Sequence, residues 1–439
     1  MSVVTLIRSF FELKIHKRYS RQKILAVQHK KFRKILKFAY KNSKFYHDLY
    51  VSNGIDEKDL DIIELEKIPT VDKNNIMQHF NDVLTVDDLK IKELLEFIDE
   101  NQNPNDLFKN KYHVIHTSGS SGKVGIFVYT KKEWDTFYPY ITKLFNFKFN
   151  KNKTAFIGAT GGHFTGNSFI SWSEKGPIRL FCKSLILGVN EPIDEIIRKL
   201  NDFQPDILGG YFNILIILAK KQEQGLLKIK PKFLTNCGEG VNQKDKKYIT
   251  KIFNTSMSNH YGFAECVVCG FGKDEYGGIY FMDDISLIEV KENHILLTNL
   301  FNKTEPIIRY RIDDYVKIKN DEKKILPFTL VEDIIGRVEF VIWFENNEGE
   351  MDFIHPLVFT DFYVKGLDKL QIAIKSKTSF EFRAVITSDN TEEIKKNIAK
   401  KLDILLSEKK FTNVKYEIKI VDDLPIDKTT GKFRLIVQE

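Results

Sequence analysis

Cysteine is scarce in this 439-residue sequence and long apolar runs are missing, and each shortage excludes a class of protein. Four cysteines in a chain of this length do not make a disulfide framework, so the expected compartment is the reducing cytoplasm. The apolar run Phe212–Ala219, which contains one Asn, is far too short to span a bilayer. The first twenty residues mix charged with apolar side chains and show no small-residue cleavage site, so no signal peptide is predicted.

An excess of charge of one sign is also missing. The 67 Lys and Arg residues against 60 Asp and Glu residues give a net charge of +7, and the two signs are interleaved along the chain. This pattern predicts neither a nucleic-acid-binding arm nor a polybasic membrane patch. The 42% hydrophobic and 29% charged content is that of an ordinary globular protein, and at roughly 100–200 residues per domain the length predicts about two to four domains.

Periodicity divides the chain into regions of different character. Apolar residues recur at three- and four-residue steps from Ile24 to Ala39, interrupted at Gln28, which predicts an amphipathic helix. From Tyr112 to Glu305, short β-rich runs alternate with helical ones, as in an α/β sheet with helical crossovers.

The second half of the chain predicts different structure. Ile279–Lys291 and His294–Asn299 are typical of antiparallel strands. After Arg337 the pattern becomes that of a mixed α+β unit of about a hundred residues. The predicted fold class is α/β: a large N-terminal domain of α/β layers with a β subdomain (residues 1–337), and a small α+β C-terminal domain (residues 338–439).

The most informative segment for chemistry begins at His116 and ends at Lys123. Small hydroxyl residues and glycines allow backbone N–H groups and hydroxyls to surround phosphate oxygens, and the lysine adds positive charge. The segment is not a Walker loop, because Val124 stands where Ser or Thr is required. A flexible surface turn is the alternative. The apolar run before it, Tyr112–Ile115, favours phosphate binding.

Further motifs follow in a fixed order. They are Cys237-Gly238-Glu239-Gly240, Asn259-His260-Tyr261-Gly262-Phe263-Ala264-Glu265, Arg309-Tyr310-Arg311-Ile312-Asp313-Asp314, Ile335-Gly336-Arg337, and Leu424-Pro425 with Thr430-Gly431-Lys432. Together with the Ser/Gly segment they resemble the core motifs of the adenylate-forming superfamily of acyl- and aryl-CoA ligases. Similarity is greatest to the phenylacetate-CoA ligase branch and its relatives in capsular polysaccharide synthesis. Ile68–Lys73 also resembles that branch, and the resemblance covers essentially the whole chain.

The resemblance implies an ATP site. The loop that holds the phosphates corresponds to residues 117–123, Gly238-Glu239 to the strand end along the adenine, and Tyr261-Gly262 to the tyrosine that stacks on the base and its turn. Asp314 corresponds to the aspartate that accepts the ribose hydroxyls, although Asp313 replaces the usual glycine and leaves the choice between the two slightly open. The implied nucleotide-binding residues are Thr117, Ser118, Gly119, Ser120, Ser121, Gly122, Lys123, Gly238, Glu239, Tyr261, Gly262 and Asp314.

The resemblance also implies the catalytic groups. Glu265 corresponds to the carboxylate that binds Mg²⁺, although Ala264 replaces the hydroxyl residue usual before it. Arg337 corresponds to the arginine that reaches ribose and phosphate before the hinge. Glu339 takes the place of the hinge aspartate, and Lys432 corresponds to the lysine that bridges the substrate carboxylate and the α-phosphate. The C-terminal domain would then be a mobile lid.

Two strand-to-helix turns are candidates for the acid-binding pocket. His163 and Phe164, flanked by glycines, lie where the family places residues near the acyl group, and a structural turn with a buried aromatic is the alternative. Gly210 and Tyr211 are the candidate pocket wall, while the helix after them is expected to be plain core.

Cys266 and Cys269 form a CxxC directly after Glu265. Some members of the branch carry zinc nearby, but Tyr280 stands where the further histidine ligand would fall, so buried apolar cysteines are the prediction.

The implied function is ATP-dependent activation of a carboxylic acid, with an aryl acid as the expected substrate, as an acyl-adenylate, followed by transfer to CoA. Transfer to a carrier-protein thiol or an amine, or a non-catalytic ATP-binding relative, are the alternatives. The segment Trp343–Asn347 departs from the glycine-bearing pattern that often helps bind CoA, so CoA is the less secure of the expected cofactors ATP, Mg²⁺ and CoA. The family includes dimers, and the sequence leaves a homodimer open.

Overall fold

The computed structural model describes residues 2–117, 125–140, 152–160, 162–175, 179, 182–241, 243–292, 294–332, 342–354, 357–360, 362, 364, 366–387, 390–425 and 435–439. The helices of this part of the chain are α1 (Val3–His16), α2 (Arg21–Asn42), α3 (Lys44–Ser52), α4 (Lys73–Gln78), α5 (Phe80–Val83), α6 (Ile91–Glu100), α7 (Lys131–Asp135), α8 (Thr165–Ser173), α9 (Ile193–Phe203), α10 (Phe212–Glu223), α11 (Gln243–Phe253), α12 (Leu357–Thr360) and α13 (Thr391–Glu408).

The strands of the same residues are β1 (Tyr112–His116), β2 (Ile126–Thr130), β3 (Asn152–Gly158), β4 (Cys182–Gly188), β5 (Ile207–Gly210), β6 (Phe233–Cys237), β7 (Met257–Tyr261), β8 (Gly270–Lys273), β9 (Gly278–Phe281), β10 (Ser286–Val290), β11 (Ile295–Asn299), β12 (Tyr310–Ile312), β13 (Leu330–Val331), β14 (Ile342–Glu345), β15 (Met351–Ile354), β16 (Leu367–Ser376), β17 (Ser379–Ile386), β18 (Lys415–Ile420) and β19 (Ile436–Gln438).

An eight-stranded sheet organises the larger part of the chain, in the order β13-β9-β8-β7-β6-β5-β3-β4. Strands β4, β3, β5, β6 and β7 are parallel, whereas β7, β8, β9 and β13 pair antiparallel. Helices α9, α10 and α11 connect successive parallel strands, and their apolar faces form one buried cluster with those strands. The α/β sheet with helical crossovers predicted from the sequence is therefore confirmed.

The predicted helix over 24–39 lies within α2, and its interruption has a structural reason. The Gln28 side chain is buried, and its amide donates to the Ser286 carbonyl at 2.9 Å and to the Asp283 carboxylate at 3.3 Å. A polar residue is tolerated on the apolar face because both of its donor bonds are made there. The predicted strand over 279–291 divides at this point into β9 and β10, since the intervening turn carries Asp283 and Asp284 inward.

A second core belongs to the residues after position 341. Strands β18-β17-β16-β19 form a four-stranded sheet, and α13 contributes Ile398, Leu402 and neighbouring apolar residues to a cluster with it. The β14–β15 hairpin joins this cluster through Phe344 and Ile354. The predicted domain boundary at residue 337 lies outside the described residues, so the division into 1–337 and 338–439 stays a prediction.

One buried polar contact links the two parts. The Lys409 ammonium, fully buried, donates to the Glu191 carbonyl at 2.9 Å and lies 3.4 Å from the Asp352 carboxylate. The second Asp352 oxygen accepts from the backbone N–H of Ile193 at 3.3 Å, at the start of α9. Breaking such a pair by removing one partner is costly, because a charge then stays buried without its counter-ion.

Within the described residues, no helix is long and apolar enough to cross a membrane.

Candidate functional site

A cavity of ≈ 340 Å³ runs along one face of the central sheet, covered by α8. Its mouth lies at the carboxyl ends of the parallel strands, where ligands bind in open α/β sheets. Five residues predicted to bind nucleotide or acid line it together. They are Thr117, Phe164, Tyr211, Gly238 and Gly262.

Thr117 and Gly125 close the base of the Ser/Gly segment. The Thr117 N–H donates to the Gly125 carbonyl at 2.8 Å, and the Gly125 N–H donates to the Thr117 hydroxyl at 3.1 Å. The segment thus joins β1 to β2, an antiparallel hairpin in which His116 faces Ile126. A Cβ on Gly125 would lie 3.0 Å from Cε of Lys73, so the side chain of Lys73, the first residue of α4, lies beside the Thr117–Gly125 pair.

Gly238 makes the turn that ends β6. Its φ of +76° is in the left-handed region, where a side chain is strained, and a Cβ there would lie 3.2 Å from the Tyr211 ring. Glu239 points the other way: its carboxylate accepts from the backbone N–H of Asn213 at 2.8 Å and from the Asn213 amide at 3.0 Å. Glu239 therefore caps α10, and Gly238 is the member of the pair that faces the cavity.

Tyr261 packs into the core beside the cavity mouth. Its ring contacts Phe263 edge-on with centroids 4.7 Å apart, and its hydroxyl donates to the Asp314 carboxylate at 2.9 Å. Asp313, by contrast, is exposed and pairs with Arg311 at 2.8 Å. Of the two adjacent aspartates, Asp314 is the one turned toward the site.

The turn after Tyr261 requires glycine. A Cβ on Gly262 would lie 2.1 Å from the Val267 carbonyl oxygen, a distance that no side chain tolerates. The absence of a side chain lets the two backbone segments pass each other and keeps the cavity mouth in contact with Gly262.

Glu265 is buried next to the cavity-lining Ala264. Burial raises the pKa of the Glu265 carboxyl above its ordinary value, while a hydrogen bond from Tyr310 and the charge of Lys73 act in the opposite direction. No group of three or more His, Cys, Asp or Glu side chains in the described part of the chain is arranged to hold a metal alone. A single carboxylate fits Mg²⁺, which is commonly held by one or two carboxylates together with substrate phosphates and water.

The predicted acid-binding residue His163 does not reach the cavity, and His116 lines it instead. His163 is fully buried behind the wall, its ring 4.9 Å from Phe97, and it does not line the cavity. His116 lines the cavity, with its ring 4.4 Å from Phe164. Burial lowers the pKa of His116 to about 4, so its imidazole is neutral near pH 7.

The inner part of the cavity follows the strands toward their amino ends. Thr154 of β3 pairs in register with Ile207 of β5 and with Ser184 of β4, and all three line the cavity. Two residues nearer the mouth, Gly209 pairs with Thr235. The Thr235 side chain is buried, and its hydroxyl has no hydrogen-bond partner among the described residues.

The aromatic and polar groups around this inner part carry no charge. The described lining residues include Phe156, Phe169 and Ile170, the polar ones are threonine, serine, cysteine, tyrosine and histidine, and none of them is Lys, Arg, Asp or Glu. The cavity therefore suits an apolar group, and its described lining residues include no Lys or Arg to pair with a second carboxylate.

Several predicted residues stand apart from the cavity. Gly210 is buried in β5, where a Cβ would lie 2.8 Å from the Ile157 carbonyl oxygen. Cys266 and Cys269 are buried free thiols in the apolar core, as predicted. Nine predicted site residues lie outside the described residues: Ser118, Gly119, Ser120, Ser121, Gly122, Lys123, Arg337, Glu339 and Lys432.

Sequence reasoning gave no role to Lys73, His116 or Thr235. Lys73 ends the segment Ile68–Lys73, which resembles the family branch without any role for its single residues. His116 begins the Ser/Gly segment. Thr235 lies in the middle of an apolar run, where only the strand register shows which face it takes. Their positions inside motifs could have indicated roles for Lys73 and His116, whereas no sequence pattern indicated one for Thr235.

Comparison with known proteins finds one distant relative in sequence and the same fold in solved structures. No family model matches the chain. The sequence is 20% identical over 418 residues to Protein CapK of Staphylococcus aureus, covering 92% of this chain and 86% of CapK.

Two solved structures have the same overall fold. The structure of 2-hydroxyisobutyryl-CoA ligase in complex with 2-HIB-AMP and CoA in the thioesterification state matches with a TM-score of 0.61 at 17% identity, covering 97% of this chain and 91% of the ligase. The same ligase in the postadenylation state with R3-HIB-AMP matches with a TM-score of 0.58 at 16% identity, with the same two coverages. The resemblance predicted from the sequence is confirmed: the chain has the fold of the adenylate-forming CoA ligases, including their C-terminal domain.

Proposed function

We propose that this protein activates a carboxylic acid with ATP and transfers the acyl group to the thiol of CoA. In the first step a carboxylate oxygen attacks the α-phosphorus of ATP, and pyrophosphate leaves. In the second step the CoA thiolate attacks the acyl carbon, and AMP leaves. The two solved ligase structures described above each contain an acyl-adenylate, and the one in the thioesterification state also holds CoA.

One observation carries this proposal. A single cavity joins the phosphate-loop residue Thr117 and the turn glycines Gly238 and Gly262 at its mouth to an uncharged chamber beneath α8. Adenylation requires this arrangement, because the carboxylate must meet the α-phosphate while the rest of the acid is held away from water.

Different residues at the mouth would bind the ribose, the base and the phosphates of the nucleotide. Asp314, held by Tyr261, would accept the ribose hydroxyls, and Gly238 would let the flat base approach the backbone. Glu265 would hold Mg²⁺, which neutralises charge on the phosphates when bound. Lys123, Arg337 and Lys432 are proposed for phosphate and carboxylate contacts on the resemblance alone.

The chamber supports an apolar monocarboxylic acid. The resemblance favours an aryl acid, and the phenylalanine-rich lining is compatible with an aromatic ring. A second carboxylate would be desolvated without a counter-ion among the described lining residues, at a cost of several kcal/mol. We therefore propose aryl and other apolar monocarboxylic acids as substrates, in preference to dicarboxylates.

The acceptor and the hinge are further parts of the proposal. The small C-terminal unit would rotate about Glu339 between the two half-reactions, and a carrier-protein thiol or an amine would replace CoA if the altered segment Trp343–Asn347 does not bind it. Trp343 is partly exposed on β14, opposite Phe353 of β15. The cytoplasm stays the predicted compartment, and a homodimer stays open.

The decisive experiment is pyrophosphate release from ATP and Mg²⁺ with a panel of aryl acids, aliphatic monoacids and dicarboxylic acids, with and without CoA. We expect release with apolar monoacids and a CoA thioester detected by mass spectrometry. Release without a thioester would select the carrier-protein or amine alternative. No release with any acid, in a chain that still binds ATP, would select the non-catalytic relative.

A further inference from the structure

Helix α1 presents a stripe of large apolar side chains to solvent. Val4, Ile7, Phe11 and Ile15 are 77%, 53%, 54% and 48% exposed. Their spacing of three, four and four residues places all of them on one side of the helix. A contiguous row of exposed apolar side chains is unusual on a protein surface that faces water. Such a row marks a contact with another protein surface or with a membrane.

The opposite side of α1 is fixed to the protein. Ser9 and Leu13 are buried, and the buried His16 imidazole lies 2.7 Å from the Asp284 carboxylate. The Tyr140 hydroxyl donates to the same carboxylate oxygen at 2.7 Å. The helix is therefore a firmly attached element with two different faces, and its exposed stripe does not result from a detached end.

The charges on the exposed side are positive. Between residues 4 and 18 the only acidic residue is Glu12, and it pairs with Arg8 at 2.9 Å. Lys14 falls on the same side as the apolar stripe by helical spacing, Arg18 follows in the turn after the helix, and both are exposed. Neither forms an ion pair with another of the described residues. Lys and Arg beside an apolar stripe complement an anionic lipid surface.

We propose that the exposed face of α1 binds the surface of an anionic phospholipid bilayer. The helix lies in the plane of the interface, with Ile7, Phe11 and Ile15 in the boundary between headgroups and acyl chains, and with Lys14 and Arg18 at the phosphates. In the sequence these residues are interleaved with others, so they predicted no membrane patch. Helical geometry collects Ile7, Phe11, Lys14 and Ile15 on one face, and the turn after the helix adds Arg18.

The test is co-sedimentation of the full chain with vesicles of two compositions: phosphatidylcholine alone, and equal parts of phosphatidylcholine and phosphatidylglycerol. We expect binding to the mixed vesicles, weak binding to pure phosphatidylcholine, and release from the mixed vesicles as salt is raised. Equal binding to both compositions, or binding to neither, would overturn the proposal.

Two sets of variants locate the contact. The triple variant Ile7→Gln, Phe11→Gln and Ile15→Gln should lower the partition coefficient on mixed vesicles at least about tenfold. A matched control, Ile62→Gln, Ile325→Gln and Ile404→Gln, removes side chains that are 79%, 42% and 50% exposed elsewhere and should leave partitioning unchanged. The pair Lys14→Gln and Arg18→Gln should lower it roughly thirtyfold, from about 1 kcal/mol for each charge near the surface.

A second copy of the chain is the competing occupant of the stripe. Sedimentation of the parent and of the α1 triple variant, without vesicles, separates the two. A parent dimer that becomes a monomer in the triple variant would assign the stripe to self-association and overturn the lipid proposal. Equal thermal unfolding midpoints for parent and variants would show that lost binding reflects the surface and leave the proposal standing.

Discussion

The Tyr261 hydroxyl donates a 2.9 Å hydrogen bond to the Asp314 carboxylate. This bond orients the acid that the proposed function assigns to the ribose. Asp314→Asn should raise the KM for ATP by about tenfold or more, since hydrogen bonds to a charged group contribute about 1.5–3 kcal/mol. Tyr261→Phe should have a smaller effect, about two- to tenfold, because it removes only the orienting bond. Steady-state pyrophosphate release measures both.

The neighbouring Asp313 supplies the matched control for this prediction. It is exposed and paired with Arg311, so Asp313→Asn should leave the KM for ATP near the parent value. A larger effect at Asp313 than at Asp314 would reverse the assignment of the ribose residue.

Local patterns predicted the helices and strands better than the contacts between them. The apolar repeat in α2 and the alternation of β3, β5 and β6 with α9–α11 are encoded within each segment, and the structure confirms them. Leu25 fits the same helical repeat yet is 42% exposed, because only the packing of α2 on the turn at Asp283 decides which face is inward.

In the candidate site, too, local patterns predicted some residues, whereas contacts between distant residues were not predictable. Motif positions located Thr117, Gly238 and Gly262 at one cavity mouth, because turn glycines carry their backbone requirement in the sequence. The capping role of Glu239 on α10 and the inward position of Thr235 depend on partners more than twenty residues away, Asn213 and Gly209. No local pattern contains such partners.

Glu265→Gln should weaken the Mg²⁺ dependence of pyrophosphate release more than it weakens ATP binding without metal. An amide cannot replace the charge that a carboxylate gives to a hard cation. Because burial raises the pKa of Glu265, the parent should also need more Mg²⁺ as the pH falls, since the protonated carboxyl is no longer a ligand.

The variant itself provides the control for that pH effect. An amide does not titrate, so the Mg²⁺ requirement of Glu265→Gln should not change with pH through this group. Superimposable Mg²⁺ titrations of parent and variant at every pH would show that Glu265 has a structural role.

Gly209 and Thr235 should set how far an acid reaches into the chamber. A Cβ on Gly209 would lie 2.8 Å from the Thr235 methyl group and 3.5 Å from the Phe156 ring. Gly209→Ala should therefore narrow the passage and reduce kcat/KM for longer acids by about tenfold, while shorter acids lose less. Pyrophosphate release across a series of acids of increasing length measures the change.

Thr235→Val tests the same passage without adding bulk. It removes a buried hydroxyl that has no partner among the described residues, so stability should be unchanged or raised. The ratio of kcat/KM values should shift in favour of acids whose hydrocarbon chain carries no polar group. A length profile unaltered in both variants would show that the acid does not pass between these strands.

The last prediction concerns the rotation proposed for the C-terminal unit. Glu339→Pro fixes φ near −65° and removes an N–H, so it should restrict the pivot without touching the reacting atoms. We expect one burst of pyrophosphate from acyl-adenylate formation, followed by little thioester.

The buried contact between Lys409, Asp352 and Glu191 gives an independent test of the same rotation, because it joins the two parts in the orientation of this structure. Lys409→Met together with Asp352→Asn removes both charges, so neither is left buried alone. Destabilising this orientation should change the rates of adenylation and thioester formation in opposite directions. Each half-reaction needs its own orientation of the C-terminal unit, so a loss for one is a gain for the other. Adenylation and thioester formation are measured separately, in single turnovers with and without CoA. If both fall equally in Glu339→Pro and both stay unchanged in the double variant, one fixed orientation serves the whole reaction.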